Sequence, residues 1–229
     1  MSDLDTVAKV VNAFYRLTGE ESGDQEMEYR GEDTDEVAYA FLTRGCRTAQ
    51  RWMLKMGYGG WRKRSDAITW SGSDSADGGR YSDVPDDFLR AYGNKKRSAL
   101  TNAGGDRWGT EIDPWDDDLK GDLYYIRGEE LWIARAAAPP TTLYLDFHYR
   151  HPEWEAILDP IDFPLEARSL IPAKAAVAAM DDNWLPGGPE LEQKITRAEM
   201  RAENEARDIV RATKSPRAFR QPARVANRW

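Results

Sequence analysis

Apolar residues in the first part of the chain recur at steps of three and four, which is the spacing of one face of a helix. This pattern predicts an amphipathic helix over residues 3–18 that ends near Gly19. The acidic, glycine-bearing stretch 19–32 then predicts a solvated loop. Asp33, with Glu36 three residues later, has the pattern of a capping box, so a second helix is predicted to begin there.

Helical spacing returns in the last third of the chain. Residues 164–180 predict a helix that opens at a proline, and Pro172 inside it predicts a kink or a restart. The segment 184–190 is rich in Pro and Gly and predicts a break. Residues 191–212 then predict a charged helix that needs a neighbouring helix. Its narrow apolar stripe is Leu191, Ile195, Ala198, Ala202, Ala206 and Ile209.

Between these helices the pattern changes to short apolar runs separated by Gly, Pro, Asp and Ser. The clearest pair of runs, 123–126 and 131–134, predicts a hairpin in which Gly128 can adopt a positive φ. Residues 142–149 alternate apolar and polar positions and predict a half-buried strand. Two shorter strands are predicted at residues 67–70 and 87–92.

Together the elements predict an α+β fold: a helical bundle with an inserted small antiparallel β domain and an extended C-terminal tail. The predicted domains are 1–60 and 163–212 for the two parts of the bundle, 61–162 for the β-rich insertion, and 213–229 for the basic tail. A chain of 229 residues, 41% of them apolar, is long enough for one elaborate domain or two small ones.

Charge separates the tail from the rest of the chain. Residues 211–229 contain six Lys or Arg and no acidic residue, whereas the remainder has 26 basic against 40 acidic residues, a net charge of −14. Pro216 and Pro222 oppose a helix in the tail, and its apolar anchors are Phe219, Val225 and Trp229. The pattern predicts an extended peptide that binds a partner, with a frayed, solvated terminus as the alternative.

The candidate chemical groups do not form a catalytic or metal-binding motif. The sequence has no GxSxG, GxxxxGK[ST], GxGxxG, CxxC or HExxH pattern, and it therefore predicts neither an enzyme nor a cofactor or metal requirement. Cys46 suits a buried position in a helix, and His148 with His151 is interpreted as a surface pair. An acidic run is interpreted as a solvated loop, with a calcium site as the alternative: Asp113, Asp116, Asp117, Asp118 and Asp122.

Neither a secretory signal pattern nor an apolar run of membrane-spanning length occurs in the sequence. We therefore expect a protein that is not exported by a signal peptide and does not enter a membrane. The single cysteine cannot form an internal disulfide, which fits assembly in a cytosolic environment.

Residues 81–90, YSDVPDDFLR, resemble head-to-tail adaptor (connector) proteins of tailed bacteriophages, in which a Tyr, a Pro-Asp pair and Phe-Leu-Arg recur in one strand-leading segment. YYIRG at 124–128 and LWI at 131–133 are similar to the hairpin of that family. A proline pair, a strand ending at Tyr149 and FPLEA at 163–167 follow in the family's order, so the resemblance covers residues 81–180.

The resemblance implies a structural protein of the virion neck, assembled in the host cytoplasm. It implies a ring, commonly of twelve subunits, that docks below the portal protein, contacts a stopper or tail-completion protein, and lets packaged DNA pass without specific binding. The tail would reach along the portal, with Phe219 and Trp229 in apolar pockets and arginines paired with acidic groups. The portal-binding residues predicted on this basis are Arg217, Phe219, Arg220, Arg224, Arg228 and Trp229.

The acidic body admits two interpretations, and two other functions stay open. Its charge predicts either a negatively lined channel that repels DNA phosphates or a surface that maintains solubility. One rival function is a nucleic-acid-binding module that uses the basic tail, although the acidic body opposes this. The other is a carbohydrate-active β domain that uses Trp108, Trp115 and Trp132 to stack on sugars.

Overall fold

The computed structural model describes residues 4, 6–19, 32–70, 80–92, 98–112, 121–133, 139–155, 159–185 and 187–214. Within these residues the fold is mixed α+β, with four α-helices and two small sheets. The chain divides into two compact units, a helical unit within Met1–Gly59 and His151–Trp229, and a β unit within Gly60–Arg150. Residues 151–162 belong to the helical unit in this division.

The helical unit contains α1 Val7–Thr18, α2 Glu32–Met56, α3 Leu170–Asp181 and α4 Pro189–Lys214, with a 3₁₀ helix at Leu165–Ala167. The predicted end of the first helix is confirmed, because Gly19 caps it with a φ of 80° and its N–H bonds to the Tyr15 carbonyl. The start of α1 lies later than predicted, because the Thr6 side chain accepts a hydrogen bond from the Lys9 N–H and acts as the N-cap.

The restart predicted at Pro172 is confirmed, because the 3₁₀ helix at Leu165–Ala167 is followed by α3, and Pro172 lies in the first turn of α3, where a missing N–H loses no helical bond. Two other details of the predicted helices are wrong. α2 begins at Glu32, so Asp33 lies inside its first turn and is not its N-cap. α4 continues through Thr213 and Lys214, which the sequence analysis assigned to the extended tail.

The β unit contains eight short strands: β1 Arg62–Arg64, β2 Arg80–Asp83, β3 Phe88–Ala91, β4 Leu100–Asn102, β5 Thr110–Glu111, β6 Leu123–Arg127, β7 Glu130–Ile133 and β8 Leu143–Tyr149. In the first sheet β8 is central, with β1 on one side and β3 and β4 paired to successive parts of β8. The second sheet has the order β2-β7-β6-β5, and its β5–β6 pair is parallel while the others are antiparallel.

The predicted hairpin and the predicted strand 142–149 are confirmed. β6 and β7 pair antiparallel around a turn in which Gly128 has a φ of 63°. The strand predicted at 87–92 is β3. Residues 67–70 lie in a described stretch but form no strand, and Ile68 makes a single backbone bond, from its N–H to the Leu143 carbonyl at 2.8 Å.

The core of the β unit lies between its two sheets. Leu143, Leu145 and Phe147 alternate along β8 and are each at most 2% exposed, in one cluster with Tyr124 and Leu131 of the second sheet. The buried Tyr124 hydroxyl accepts a hydrogen bond from the Ala99 N–H at 2.8 Å. The alternate residues of β8 therefore face away from this core, and they define the surface described below.

Candidate functional site

The six predicted portal-binding residues all lie outside the described residues. The helix that precedes them, α4, is described. α4 buries Ile195, Ala202, Ala206 and Val210, each at most 3% exposed. The predicted apolar stripe included the first three of these, but it chose Ile209 where the buried residue is Val210. This final contact lies four residues before α4 ends at Lys214, so the helix is held close to the start of the remaining basic segment.

A charged cluster also holds α4 against α3. The Lys174 ammonium donates to Glu199 and to Glu203, at 2.6 Å each, and the lysine side chain is only 10% exposed. Burial lowers the pKa of Lys174, but the two hydrogen-bonded carboxylates outweigh burial and raise the pKa above its ordinary value of 10.5. Lys174 is therefore charged at neutral pH and has a structural role in positioning α4.

The interpretation of His148 and His151 as a surface pair is wrong, because their side chains are 3% and 1% exposed. The His148 Nδ1 lies 3.0 Å from the Gly60 carbonyl, within the β unit. In the helical unit, the His151 Nε2 accepts from the Asp162 N–H at 3.2 Å, so Nδ1 carries the proton and donates to the Pro152 carbonyl at 2.8 Å. Burial lowers the pKa of both imidazoles, which are neutral packing groups near pH 7.

The other candidate chemical groups are also placed. Cys46 is fully buried in α2, as predicted, and burial raises the pKa of its thiol, so a reactive thiolate is disfavoured. In the acidic run only Asp122 is described, since 113–120 lie outside the described residues. No group of three or more His, Cys, Asp or Glu that could hold a metal ion occurs among the described residues.

An aromatic row crosses the second sheet on its side away from the core. Tyr81, Trp132 and Tyr125 are directly opposite one another on β2, β7 and β6. The ring centroids of Tyr81 and Trp132 are 4.9 Å apart at 30°, and those of Trp132 and Tyr125 are 6.2 Å apart at 5°. The rings therefore stack on each other across the strands, as cross-strand pairs that stabilise a sheet do.

This row bears on the carbohydrate hypothesis. A sugar-binding platform needs aromatic faces turned toward the ligand, whereas both faces of Trp132 are directed at neighbouring rings. Trp108, a second residue of that hypothesis, is 8% exposed and belongs to the core, and Trp115 lies outside the described residues. The described aromatic residues thus favour packing over sugar binding.

Basic side chains are concentrated on the first sheet, on the face opposite its core. Arg62 of β1 and Arg90 of β3 are paired in register with His148 of β8, one on each side, and Arg64 is paired with Asp146. Directly opposite residues project on the same side of a sheet, so these arginines share the face of Asp146 and His148. With Arg107, they form what we call the arginine face: Arg62, Arg64, Arg90 and Arg107.

Specific contacts hold three of these guanidinium groups. The Cζ of Arg62 lies 3.7 Å from the centroid of the Tyr92 ring, a cation–π contact. Arg64 Nε and Arg107 Nη1 bind the two oxygens of Asp146 at 2.9 and 2.8 Å. These restraints hold the guanidinium groups on one surface, where the sequence analysis identified no site. The sequence feature that could have indicated this surface is the run WRKR at 61–64, in which three basic residues follow the tryptophan.

Arg90 is exposed and lies near Glu111. Burial raises the pKa of that carboxyl, and the positive charge of Arg90 opposes the shift. Among the described residues, neither Arg62 nor Arg90 forms an ion pair within 4.0 Å. Among the described residues, the carboxylates that these contacts place near the four guanidinium groups are those of Asp146 and Glu111, so the described part of this surface has more positive than negative groups.

Among the described residues of the helical unit, two grooves differ in polarity. One, of about 490 Å³, is mainly apolar and lies among α1, α3 and α4, where Leu4, Leu17 and Leu165 line it. The other, of about 950 Å³, is polar and runs beside α2. Its Arg44 binds Asp182 at 2.5 Å and its Arg47 binds Glu153 at 2.8 Å. These two arginines are paired with carboxylates, as Arg64 and Arg107 are, whereas Arg62 and Arg90 form no ion pair within 4.0 Å among the described residues.

In the described part of the chain, none of the helices has the length and apolar character needed to cross a membrane. Comparisons with known proteins add no assignment. No protein-family model matches the chain, and no curated protein has significant sequence similarity to it.

Proposed function

We propose that this chain is a head-to-tail adaptor of a tailed bacteriophage, a virion structural protein of the neck without catalytic activity. The resemblance over residues 81–180 supports the proposal. The observation that carries it is the position of the basic segment. α4 is held by buried residues and by Lys174, and it ends at Lys214, directly before a segment with four arginines, Phe219 and Trp229.

The proposed partner of that segment is the portal protein. Phe219 and Trp229 fill apolar pockets on the portal, while Arg217, Arg220, Arg224 and Arg228 pair with acidic groups at their rims. A ring of subunits, commonly twelve in the adaptors that the chain resembles, multiplies a weak contact per tail into tight binding of the whole ring. A stopper or tail-completion protein binds the ring on its other side.

Packaged DNA passes through the proposed ring without sequence-specific contacts. The chain outside the last nineteen residues has a net charge of −14, and negative charge along a channel reduces adhesion of phosphates. The same surplus weakens the rival function, a nucleic-acid-binding module, because phosphate-binding arms usually accompany basic domains.

The test compares the full-length protein with a version that ends at Lys214, which retains all of α4. Each is mixed with purified portal rings, and complexes are measured by sedimentation and negative-stain imaging. We expect rings on portals with the full-length protein and their loss with the truncated one. If neither protein binds portals, the adaptor proposal is wrong. Salt-dependent retention of DNA by the full-length protein would then favour the nucleic-acid-binding module.

A further inference from the structure

The arginine face is a positive surface on an acidic chain, and such a surface can offset the repulsion between copies in the proposed ring. The chain carries a net charge of −8, so two copies repel one another at long range. A ring is built from heterologous contacts, in which one patch of a subunit binds a different patch of the next. For an acidic protein, the pair that overcomes repulsion is one basic patch against one acidic patch.

The negative charge of the chain is concentrated in the helical unit. Residues 1–59 and 151–210 contain 13 Lys and Arg against 24 Asp and Glu, a net charge of −11. Residues 60–150 contain 13 basic and 16 acidic residues, so most of the negative surplus lies outside the β unit. The arginine face thus has its charge complement on the same chain, in the other unit.

The contacts of the arginine face suit protein binding. Tyr92 fixes Arg62, and Asp146 fixes Arg64 and Arg107, so these long side chains lose little further conformational freedom on binding. Arg62 and Arg90 retain N–H groups that no carboxylate within 4.0 Å engages among the described residues. A guanidinium group binds a carboxylate through two parallel hydrogen bonds.

We propose that the arginine face binds the acidic surface of the helical unit in a second copy of this chain, and that this contact joins neighbouring subunits of the ring. The inference rests on the proposed adaptor function. Nucleic acid is a poorer occupant than a second copy, because the net charge of −14 outside the last nineteen residues repels phosphates over the rest of the surface.

The experiment measures self-association of the full-length protein by sedimentation equilibrium. The test variant is Arg62→Glu with Arg90→Glu, on the arginine face. The control is Arg80→Glu with Arg127→Glu, which changes the net charge equally on the second sheet. We expect the wild type and the control to associate at about 0.1 M salt and to dissociate near 1 M, where charges are screened. The test variant should associate at least about tenfold more weakly.

Mixing identifies the kind of contact. The test variant lacks a working arginine face but keeps its acidic surface, so it can bind the arginine face of a wild-type copy and block growth there. We expect added variant to reduce the size of wild-type assemblies and to form mixed pairs. The proposal would be overturned by a wild type that stays monomeric at about 0.1 M salt. It would also be overturned if the control variant lost as much self-association as the test variant.

A nucleic-acid role of the arginine face has a different signature. If a labelled DNA duplex binds the wild type and not the test variant, while self-association is unchanged, the face binds phosphates and the proposal is wrong. Portal binding of the wild type and of the test variant is measured in a separate experiment, since the test variant keeps Phe219 and Trp229. Loss of self-association with portal binding that is weakened but still present would support both proposals, because single tails bind without the gain that the ring provides. Absent portal binding in both proteins, with self-association of the wild type alone, would reject only the adaptor function.

Discussion

Gly45 lies where α2 and α3 approach each other closely. A Cβ added there would lie 2.6 Å from the Ala175 N, 2.7 Å from the Ile171 O and 2.8 Å from the Ala175 Cβ. Two of these atoms belong to the backbone of α3, so rotation of a side chain cannot relieve the overlap. The fully buried alanines at 175, 176 and 179 extend the same close packing.

We predict that Gly45→Ala destabilises the protein by about 1–3 kcal/mol, because the added methyl group forces α2 and α3 apart. This loss exceeds the gain of less than about 1 kcal/mol that Ala brings to a helix. The measurement is urea unfolding followed by circular dichroism. Gly187→Ala is the matched control, since nothing lies within 4 Å of a Cβ at that position. Equal midpoints for the two variants would contradict the close approach.

At the scale of elements, strands with alternating apolar residues could be predicted, and strands without them could not. β8 and the β6–β7 hairpin have buried alternate positions, and the sequence identified both. β1 is fully exposed and exists because it pairs with β8, so no apolar pattern marks it. The prediction of a strand at 67–70 is wrong for the opposite reason. Apolar residues are present there, but only one backbone hydrogen bond, from the Ile68 N–H to the Leu143 carbonyl, joins this segment to β8.

The arginine face escaped the sequence analysis because its members come from two strands and a loop. Arg62 and Arg90 are 28 positions apart, and only the register of β1 and β3 on β8 brings them to one side of the sheet. The histidines were misplaced for a related reason. Their burial depends on tertiary contacts, including the T-shaped packing of His151 on Trp154 at 5.2 Å, which no local pattern encodes.

The attachment of α4 to α3 depends on Lys174. We predict that Lys174→Met lowers the free energy of unfolding at pH 8 by about 2 kcal/mol, because Glu199 and Glu203, 25% and 20% exposed, lose the lysine. Glu203 keeps only its longer contact with Arg207, at 3.4 Å. This value discounts the full cost of a buried unpaired charge for partial exposure. Arg201→Gln removes an exposed pair with Glu205 and should change stability by less than about 0.5 kcal/mol.

The Lys174 contribution should depend on pH in one direction. The folded-state pKa is raised above 10.5, so the stabilisation is fully present below that pH and is lost as pH rises through the raised pKa. The difference between the wild type and Lys174→Met should therefore shrink in strongly alkaline solution. Urea unfolding at pH 8 and at increasing pH above 10 measures it. A difference that grows with pH would show that the lysine is not held by its two carboxylates.

At the scale of the whole molecule, positive and negative charges are concentrated in different parts of one chain. The last nineteen residues have a net charge of +6, the remainder −14, and the arginine face is a local positive exception within that remainder. In the proposed ring, the arginine face joins copies to each other and the C-terminal segment joins the ring to the portal. The two contacts use different residues, so they are separable by mutation.

The apolar anchors of the C-terminal segment supply the last prediction. Phe219→Ala with Trp229→Ala should weaken portal binding of the ring by at least about tenfold, because buried aromatic anchors contribute about 2 kcal/mol or more each and the loss is repeated in every subunit. Gln221→Ala with Asn227→Ala changes polar residues of the same segment and should bind nearly as the wild type. Sedimentation with portal rings at several salt concentrations separates the anchors from the arginines, since only the arginine contribution is screened. Unchanged binding by the aromatic double variant would remove Phe219 and Trp229 from the portal contact and leave charge as its basis.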